Sequence, residues 1–214
     1  GLRVLAIETA VRAAEFVQSQ AGSSIRVATK EGGRSEASRV VTEVDLESQR
    51  LILEALQEST AEGEFGLLTE ERPDDQSRQT KDCFWGIDPL DGTLPFIENV
   101  AGYSVSIALV ARDGEPLLGV IADPLTGTVY HALRGCGAFK NGQRLAMEVP
   151  SSGPGEGPLT LVMDRSFAKQ GDYERVLEKI EAIAARQGLS ELKVMNQGGA
   201  AMNACWVIEI GRAA

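Results

Sequence analysis

Leu2, Leu5, Thr9, Ala13, Phe16 and Val17 recur at three- and four-residue intervals from the start of the chain. That is the spacing of an amphipathic helix covering a core, and Gly22-Ser23-Ser24 closes it. A polar, glycine-bearing stretch, 30–39, comes next. Val40-Val41-Thr42-Glu43-Val44-Asp45 then leads into a second helical pattern carried by Leu46, Ile52, Leu53 and Leu56. Asp45 falls near the start of that helix, where exposed amides favour a carboxylate. After this the period changes. Residues 65–68, 84–87, 103–110, 117–121 and 128–131 are short apolar runs bounded by turn residues, which predicts strands. Arg112-Asp113-Gly114-Glu115 is a hairpin turn signal, so this part of the sheet is expected to be antiparallel. Residues 135–142 add a second hairpin-like passage with Asn141-Gly142 at its tip.

Ser151-Ser152-Gly153-Pro154-Gly155-Glu156-Gly157-Pro158 is the strongest break in the chain, made of residues that neither helix nor strand tolerates. It separates an N-terminal domain, 1–150, from a smaller C-terminal one, 159–214. The second domain reads as a strand at 159–163, a helix at 173–186 on Val176, Leu177, Ile180 and Ile183, a strand at 192–195 and a helix at 200–208. Strands alternating with helices predict a small parallel α/β unit. The first domain is predicted to be α+β, a largely antiparallel sheet flanked by the two early helices.

With 214 residues, 43% of them apolar, the chain can bury a substantial core, and no run approaches the ~20 apolar residues of a membrane span. A formal net charge of −10 with no basic stripe argues against nucleic acid polymers and anionic membranes as partners. An anionic substrate would then require bound cations to neutralise the carboxylates around it. Cys83, Cys136 and Cys205 lie far apart and form no CxxC pair, which predicts reduced, mostly buried thiols rather than zinc or disulfides. The first twenty residues lack the basic-then-apolar order of a signal peptide, so the expected location is cytoplasmic.

The chemistry is concentrated in Trp85-Gly86-Ile87-Asp88-Pro89-Leu90-Asp91-Gly92-Thr93. An apolar strand runs into Asp88, Pro89 bends the chain, and Asp91 opens a turn or helix whose first amides belong to Gly92 and Thr93. Two carboxylates folded toward one side offer oxygen ligands to a hard cation, and the free amides face an anion such as phosphate. Alone, Asp-Pro and Asp-Gly are ordinary turn pairs. Asp45 and Glu70-Glu71, however, also sit at the ends of apolar runs, where strands would deliver them to the same sheet edge; singly they read as a helix cap and a solvated pair. The lone histidine, His131, reads as structural or surface.

Val41-Thr42-Glu43-Val44-Asp45, Leu68-Thr69-Glu70-Glu71, the run from Trp85 to Thr93, Tyr103-Ser104-Val105-Ser106-Ile107-Ala108-Leu109, and Gly119-Val120-Ile121-Ala122-Asp123-Pro124 with the passage 135–142 resemble, in order and spacing, the inositol monophosphatase superfamily. The resemblance implies a layered α-β-α-β sandwich of the sugar-phosphatase type and a phosphoric monoester hydrolase. It implies Mg²⁺ as cofactor, two or three ions, with inhibition by Li⁺. Glu70, Asp88 and Asp91 would hold the metals by side chain and Leu90 by its carbonyl. Asp45, Glu70 and Thr93 would be catalytic, Asp45 and Thr93 orienting the attacking water. Asp91 and the Gly92 and Thr93 amides would bind substrate, with Gly198, Gly199 and Ala200 beside the rest of it. In the family the second position of that last group often carries a hydroxyl; here it is Gly199. Asp123 matches a chiefly structural position.

The implied substrate is a small phosphomonoester such as inositol monophosphate. Leu94-Pro95-Phe96-Ile97-Glu98 and the residues before Glu70-Glu71 look closer to the 3′(2′),5′-bisphosphate nucleotidases, which act on 3′-phosphoadenosine 5′-phosphate. A reading of another class is a catalytically silent relative that binds metal or phosphate. The family continues to a Trp-Asp pair that does not occur here, so the C-terminal α/β unit is expected to be incomplete. Its exposed sheet edge predicts association, most simply as a homodimer.

Overall fold

The protein is described by a computed structural model covering residues 1–24, 26–29, 40–59, 64–146, 158–164, 167, 171–189 and 191–210. The expected domain boundary at 151–158 lies outside the described residues except for Pro158, as do the polar stretch 30–39 and residues 211–214.

The chain opens with α1 (Leu2–Gln20), β1 (Val27–Thr29), β2 (Val40–Thr42) and α2 (Glu43–Ser59). The main sheet follows: β3 (Gly66–Thr69), β4 (Cys83–Asp91), the short helix α3 (Thr93–Ile97), β5 (Ser104–Ala111), β6 (Pro116–Ala122), β7 (Val129–Leu133), β8 (Gly137–Lys140) and β9 (Gln143–Arg144). Among the described residues its seven strands lie in sequence order, β3 parallel to β4 and every later pair antiparallel. The β8–β9 turn carries Asn141 at φ 48° and Gly142 at φ 76°, the paired left-handed conformations that Asn-Gly supplies in a two-residue hairpin. The small unit consists of β10 (Leu159–Val162), α4 (Tyr173–Arg186), β11 (Leu192–Met195) and α5 (Ala200–Ile210), with β10 and β11 parallel. Among the described residues no helix is long and apolar enough to cross a membrane.

The core lies between the sheet and the two N-terminal helices: Val105, Ile107, Leu109, Leu118 and Val120 meet Ala6, Ala10, Ala13, Ala14 and Val17 of α1 and Val44, Ile52 and Leu56 of α2. The buried stripe of α1 is mostly alanine, whereas Leu2, Leu5 and Phe16 are only partly covered. Small side chains let the helix axis approach the sheet closely, so the larger residues fall at the margin.

On α4 the sequence pattern puts Ile183 in the buried face. The structure leaves it 54% exposed, and only Ala184 is buried. Among the described residues the helix faces a sheet of two strands, too narrow to cover its full apolar stripe.

Candidate metal and phosphate site

In an uninterrupted strand, residues three apart point to opposite faces. Yet β4 pairs with β5 as Asp88↔Ser106 and Asp91↔Ser104. Three steps on one strand match two on the other, so a bulge at Pro89 and Leu90 takes up one extra residue. Ser104 and Ser106 share a face of β5, and the bulge therefore brings Asp88 and Asp91 onto one face, opposite the core residues Val105 and Ile107. Proline has no amide to lose from the ladder, which suits it to this position. Glu70 arrives from the neighbouring strand: the parallel register ends at Thr69↔Ile87, and the Glu70 amide donates to the Ile87 carbonyl at 3.2 Å. The next step of that register sets Glu70 beside Asp88.

The three carboxylates act on one another. Burial, then the charges of Glu70 and Asp91, raise the Asp88 carboxyl well above the ordinary aspartate range, and a hydrogen bond with Glu70 acts in the same sense. Burial also raises Asp91, against the lowering effect of the Ala201 and Ala200 amides. A donor set of carboxylate and carbonyl oxygens, with like charges facing Asp88, fits a hard divalent cation such as Mg²⁺. Among the described residues no three His, Cys, Asp or Glu side chains close round a single point. Asp91 is also held from the side of α5, its Oδ1 accepting the Ala200 amide at 3.0 Å and its Oδ2 the Ala201 amide at 2.9 Å.

Asp45 caps α2 and also reaches Thr93. Its Oδ2 accepts the Thr42 amide at 2.7 Å and the Thr42 hydroxyl at 2.5 Å, while the Asp45 amide points back to Thr42 Oγ1 at 3.4 Å. This is a reciprocal capping box at the start of α2. Its Oδ1 is left for Thr93, whose Oγ1 lies at 3.1 Å, 48 residues away in sequence. Asp45 is 1% exposed, and burial raises its carboxyl despite the hydrogen bonds from Thr42 and Thr93. Thr93 begins α3, and Gly92 before it adopts φ 83°. Thr93 Oγ1 also lies 3.3 Å from the Leu90 carbonyl.

The small unit meets this site through glycines. A Cβ on Gly102 would stand 2.5 Å from the Gly198 Cα, and one on Gly199 would collide with the Asp91 carboxylate. The Gly199 amide donates to the Gly102 carbonyl at 2.7 Å. Gly199 is thus the residue that admits Asp91 to the α5 amides, and Ala200 is engaged with Asp91. At its other end α5 is tied to the sheet by Glu209, which accepts Tyr130 Oη at 3.1 Å and pairs with Lys140 at 2.7 Å.

Two residues that contact the candidate site residues, Ala201 on Asp91 and Thr42 on Asp45, are not among those expected from the sequence. Only Thr42 had a local signal, since Thr42-x-x-Asp45 has the spacing of a capping box. His131 is structural: it is 9% exposed and stacks on Phe139 with ring centroids 4.9 Å apart. Asp123 caps its own turn, accepting the Leu125 amide at 2.9 Å and the Thr126 hydroxyl at 2.7 Å. The expectation of mostly buried thiols holds only for Cys205; Cys83 is half-buried and Cys136 exposed.

The model of the inositol monophosphatase family matches residues 2–213. The chain is 37% identical over 145 residues to the 3′(2′),5′-bisphosphate nucleotidase CysQ of Aggregatibacter actinomycetemcomitans, covering 66% of this chain and 51% of that protein. It is 28% identical over 172 residues to the fructose-1,6-bisphosphatase/inositol-1-monophosphatase of Thermotoga maritima, covering 78% of this chain and 58% of that one. The chain spans about half the length of the curated relatives it matches. Among solved structures, a Thermotoga maritima IMPase superposes with a TM-score of 0.72 at 26% identity, covering 94% of this chain and 70% of that one. The suhB protein of Bartonella henselae shares the fold with a TM-score of 0.75 at 23% identity, over 96% of this chain and 74% of that one. A family match that runs from residue 2 to residue 213 establishes that this chain belongs to the inositol monophosphatase family.

Proposed function

We propose that this protein is a Mg²⁺-dependent phosphatase that hydrolyses a small phosphomonoester, inositol monophosphate in the first instance, by attack of water. The observation that carries the reading is the Thr93–Asp45 hydrogen bond at 3.1 Å beside the Glu70, Asp88 and Asp91 carboxylates. Glu70, Asp88, Asp91 and the Leu90 carbonyl would hold the metal. When bound, Mg²⁺ supplies the positive charge that screens a phosphate dianion and acidifies water.

The chain's own groups do the rest. Thr93 donates its hydroxyl hydrogen to Asp45 Oδ1, which leaves its oxygen lone pairs free to accept a hydrogen from water and aim it. The capping box holds Asp45 still, so that aim is set before substrate arrives. Gly92 and Thr93 stand at the start of α3, where amides lack intrahelical acceptors, and these would bind phosphate oxygens. Gly199 and Ala200 lie against Asp91 and Gly198 against Gly102, and the three would border the remainder of the substrate.

The second reading is a 3′(2′),5′-bisphosphate nucleotidase, favoured by the 37% identity to CysQ. Phosphate release measured against inositol 1-phosphate, 3′-phosphoadenosine 5′-phosphate and fructose 1,6-bisphosphate, with and without Mg²⁺, decides between them. No Mg²⁺-dependent release from any of the three, with metal binding retained, would leave the silent relative. Inhibition by Li⁺ is a further expected outcome.

A further inference from the structure

The first turns of α2 carry more than Asp45. Thr42, Asp45, Ser48 and Gln49 are at most 5% exposed, a polar stripe buried on a helix whose later contacts are Ile52 and Leu56. A buried helical serine can satisfy its hydroxyl on the carbonyl one turn back. Ser48 instead donates to the Pro89 carbonyl at 2.8 Å, across 41 residues of chain. That carbonyl belongs to the same planar peptide unit as the Leu90 amide, so fixing one fixes the other. The Leu90 amide in turn faces Asp88 Oδ1 at 3.2 Å. Gln49 does the equivalent for the neighbouring strand: its Oε1 accepts the Thr69 hydroxyl at 2.5 Å, and Thr69 is the last residue of β3, directly before Glu70.

We infer that Ser48 and Gln49 are positioning residues of the metal site, Ser48 acting on Asp88 through the Pro89–Leu90 peptide and Gln49 acting on Glu70 through Thr69. The inference rests on the reading of Glu70 and Asp88 as metal ligands. Asp88 and Glu70 repel each other when ionised, and a bulged strand end is not stiffened by a regular ladder, so an external brace is needed to keep both aimed at one place. α2 supplies that brace to two strands at once, and through Asp45 to Thr93 as well. None of these three links is signalled in local sequence, because each joins α2 to a segment 20 or more residues away.

The test is a calorimetric titration of the purified protein with MgCl₂, with Mn²⁺ binding followed by electron paramagnetic resonance as a second readout. Ser48→Ala and Gln49→Met should each weaken cation binding by about 10-fold or more, the usual effect of removing a group that orients a ligand. Ser48→Thr, which keeps the hydroxyl, should recover most of the loss. KM for the phosphomonoester should stay near the wild-type value in Ser48→Ala once Mg²⁺ saturates. Leu56→Ala, further along α2 and away from the site, controls for general loosening: it should lower the melting temperature and leave the cation titration unmoved.

Should Ser48→Ala fail to fold, Ser48→Cys, similar in volume and a poor donor, carries the same comparison. Cation binding unchanged in Ser48→Ala and Gln49→Met, or weakened as much by Leu56→Ala, would overturn the inference. A wild-type protein that binds no Mg²⁺ overturns it together with the metal site. One that binds Mg²⁺ and releases no phosphate refutes the phosphatase reading alone, and the titrations still judge Ser48 and Gln49.

Discussion

Replacing Asp45 separates the oxygen that caps α2 from the one that, in the proposed function, holds Thr93 for the attacking water. Asp45→Ala removes the acceptor of the Thr42 amide and hydroxyl, and Thr42 is 1% exposed. Loss of the cap costs about 1 kcal/mol, and a stranded buried donor adds about 1–3 kcal/mol. A net loss of about 3 kcal/mol in a chain of this size lowers the melting temperature by about 6–12 °C. Asp45→Asn keeps an oxygen for Thr42, so stability should stay within about 1 kcal/mol of wild type, the scale of one ordinary neutral hydrogen bond. Its amide nitrogen then faces Thr93 Oγ1 as a donor. The Thr93 hydrogen must turn to the Leu90 carbonyl, 3.3 Å away, and a lone pair meant for water is occupied.

Turnover of Asp45→Asn should therefore fall by about 10²–10⁴-fold, the range for a lost acid–base partner. The assay pairs thermal denaturation followed by circular dichroism with Mg²⁺-dependent phosphate release. A pH series adds a sign. Burial raises the Asp45 carboxyl, so between about 3.9 and its folded value the folded chain binds more protons than the unfolded one. Stability from this group falls as pH rises through that window, and Asp45→Asn should flatten that segment. An Asn variant as unstable as the Ala variant, or one that turns over normally, would refute the division of roles.

Asp88→Asn should abolish Mg²⁺-dependent turnover with the fold intact, and it should remove the stabilisation that Mg²⁺ gives the wild type, about 2.7 kcal/mol at a hundredfold excess over Kd and read as a rise in melting temperature. Near-normal activity at high Mg²⁺ would count against the assignment. Thr93→Ala should lower kcat with little change in the Mg²⁺ titration, and Thr93→Ser should restore most of it; equal loss of metal binding would make Thr93 a cap only. Burial, then Arg3, lowers the His131 imidazole, so the unfolded chain takes up the proton first and stability is lost as pH falls through about 6.5. His131→Phe, which keeps the stacking on Phe139, should flatten that acid limb in denaturant midpoints measured between pH 5 and 8; an unchanged slope would show that other groups set it.

Local pattern determined the periodic elements and the residue chemistry. The span of α4 from Tyr173 to Arg186 and the hairpin at Asn141-Gly142 follow from spacing and turn residues that act within a few positions. The oxygen-only character of the site was equally legible, because Glu70, Asp88 and Asp91 are carboxylates wherever the chain puts them.

What tertiary structure decided is how those groups face one another. Three-residue spacing in a strand would have sent Asp88 and Asp91 to opposite faces; only pairing with Ser106 and Ser104 reveals the bulge that unites them. Whether Asp45 caps α2 or serves Thr93 could not be chosen from sequence, since its two oxygens do both. The contacts of Ser48 and Gln49 have no signal in local sequence, and the exposure of Ile183 contradicts a clean apolar period. For the carboxylate pair, for Thr93 and for Ser48 and Gln49, the deciding contact joins segments that local sequence does not pair. Such a contact depends on which surfaces the packed elements present to each other, a property that no window of sequence contains.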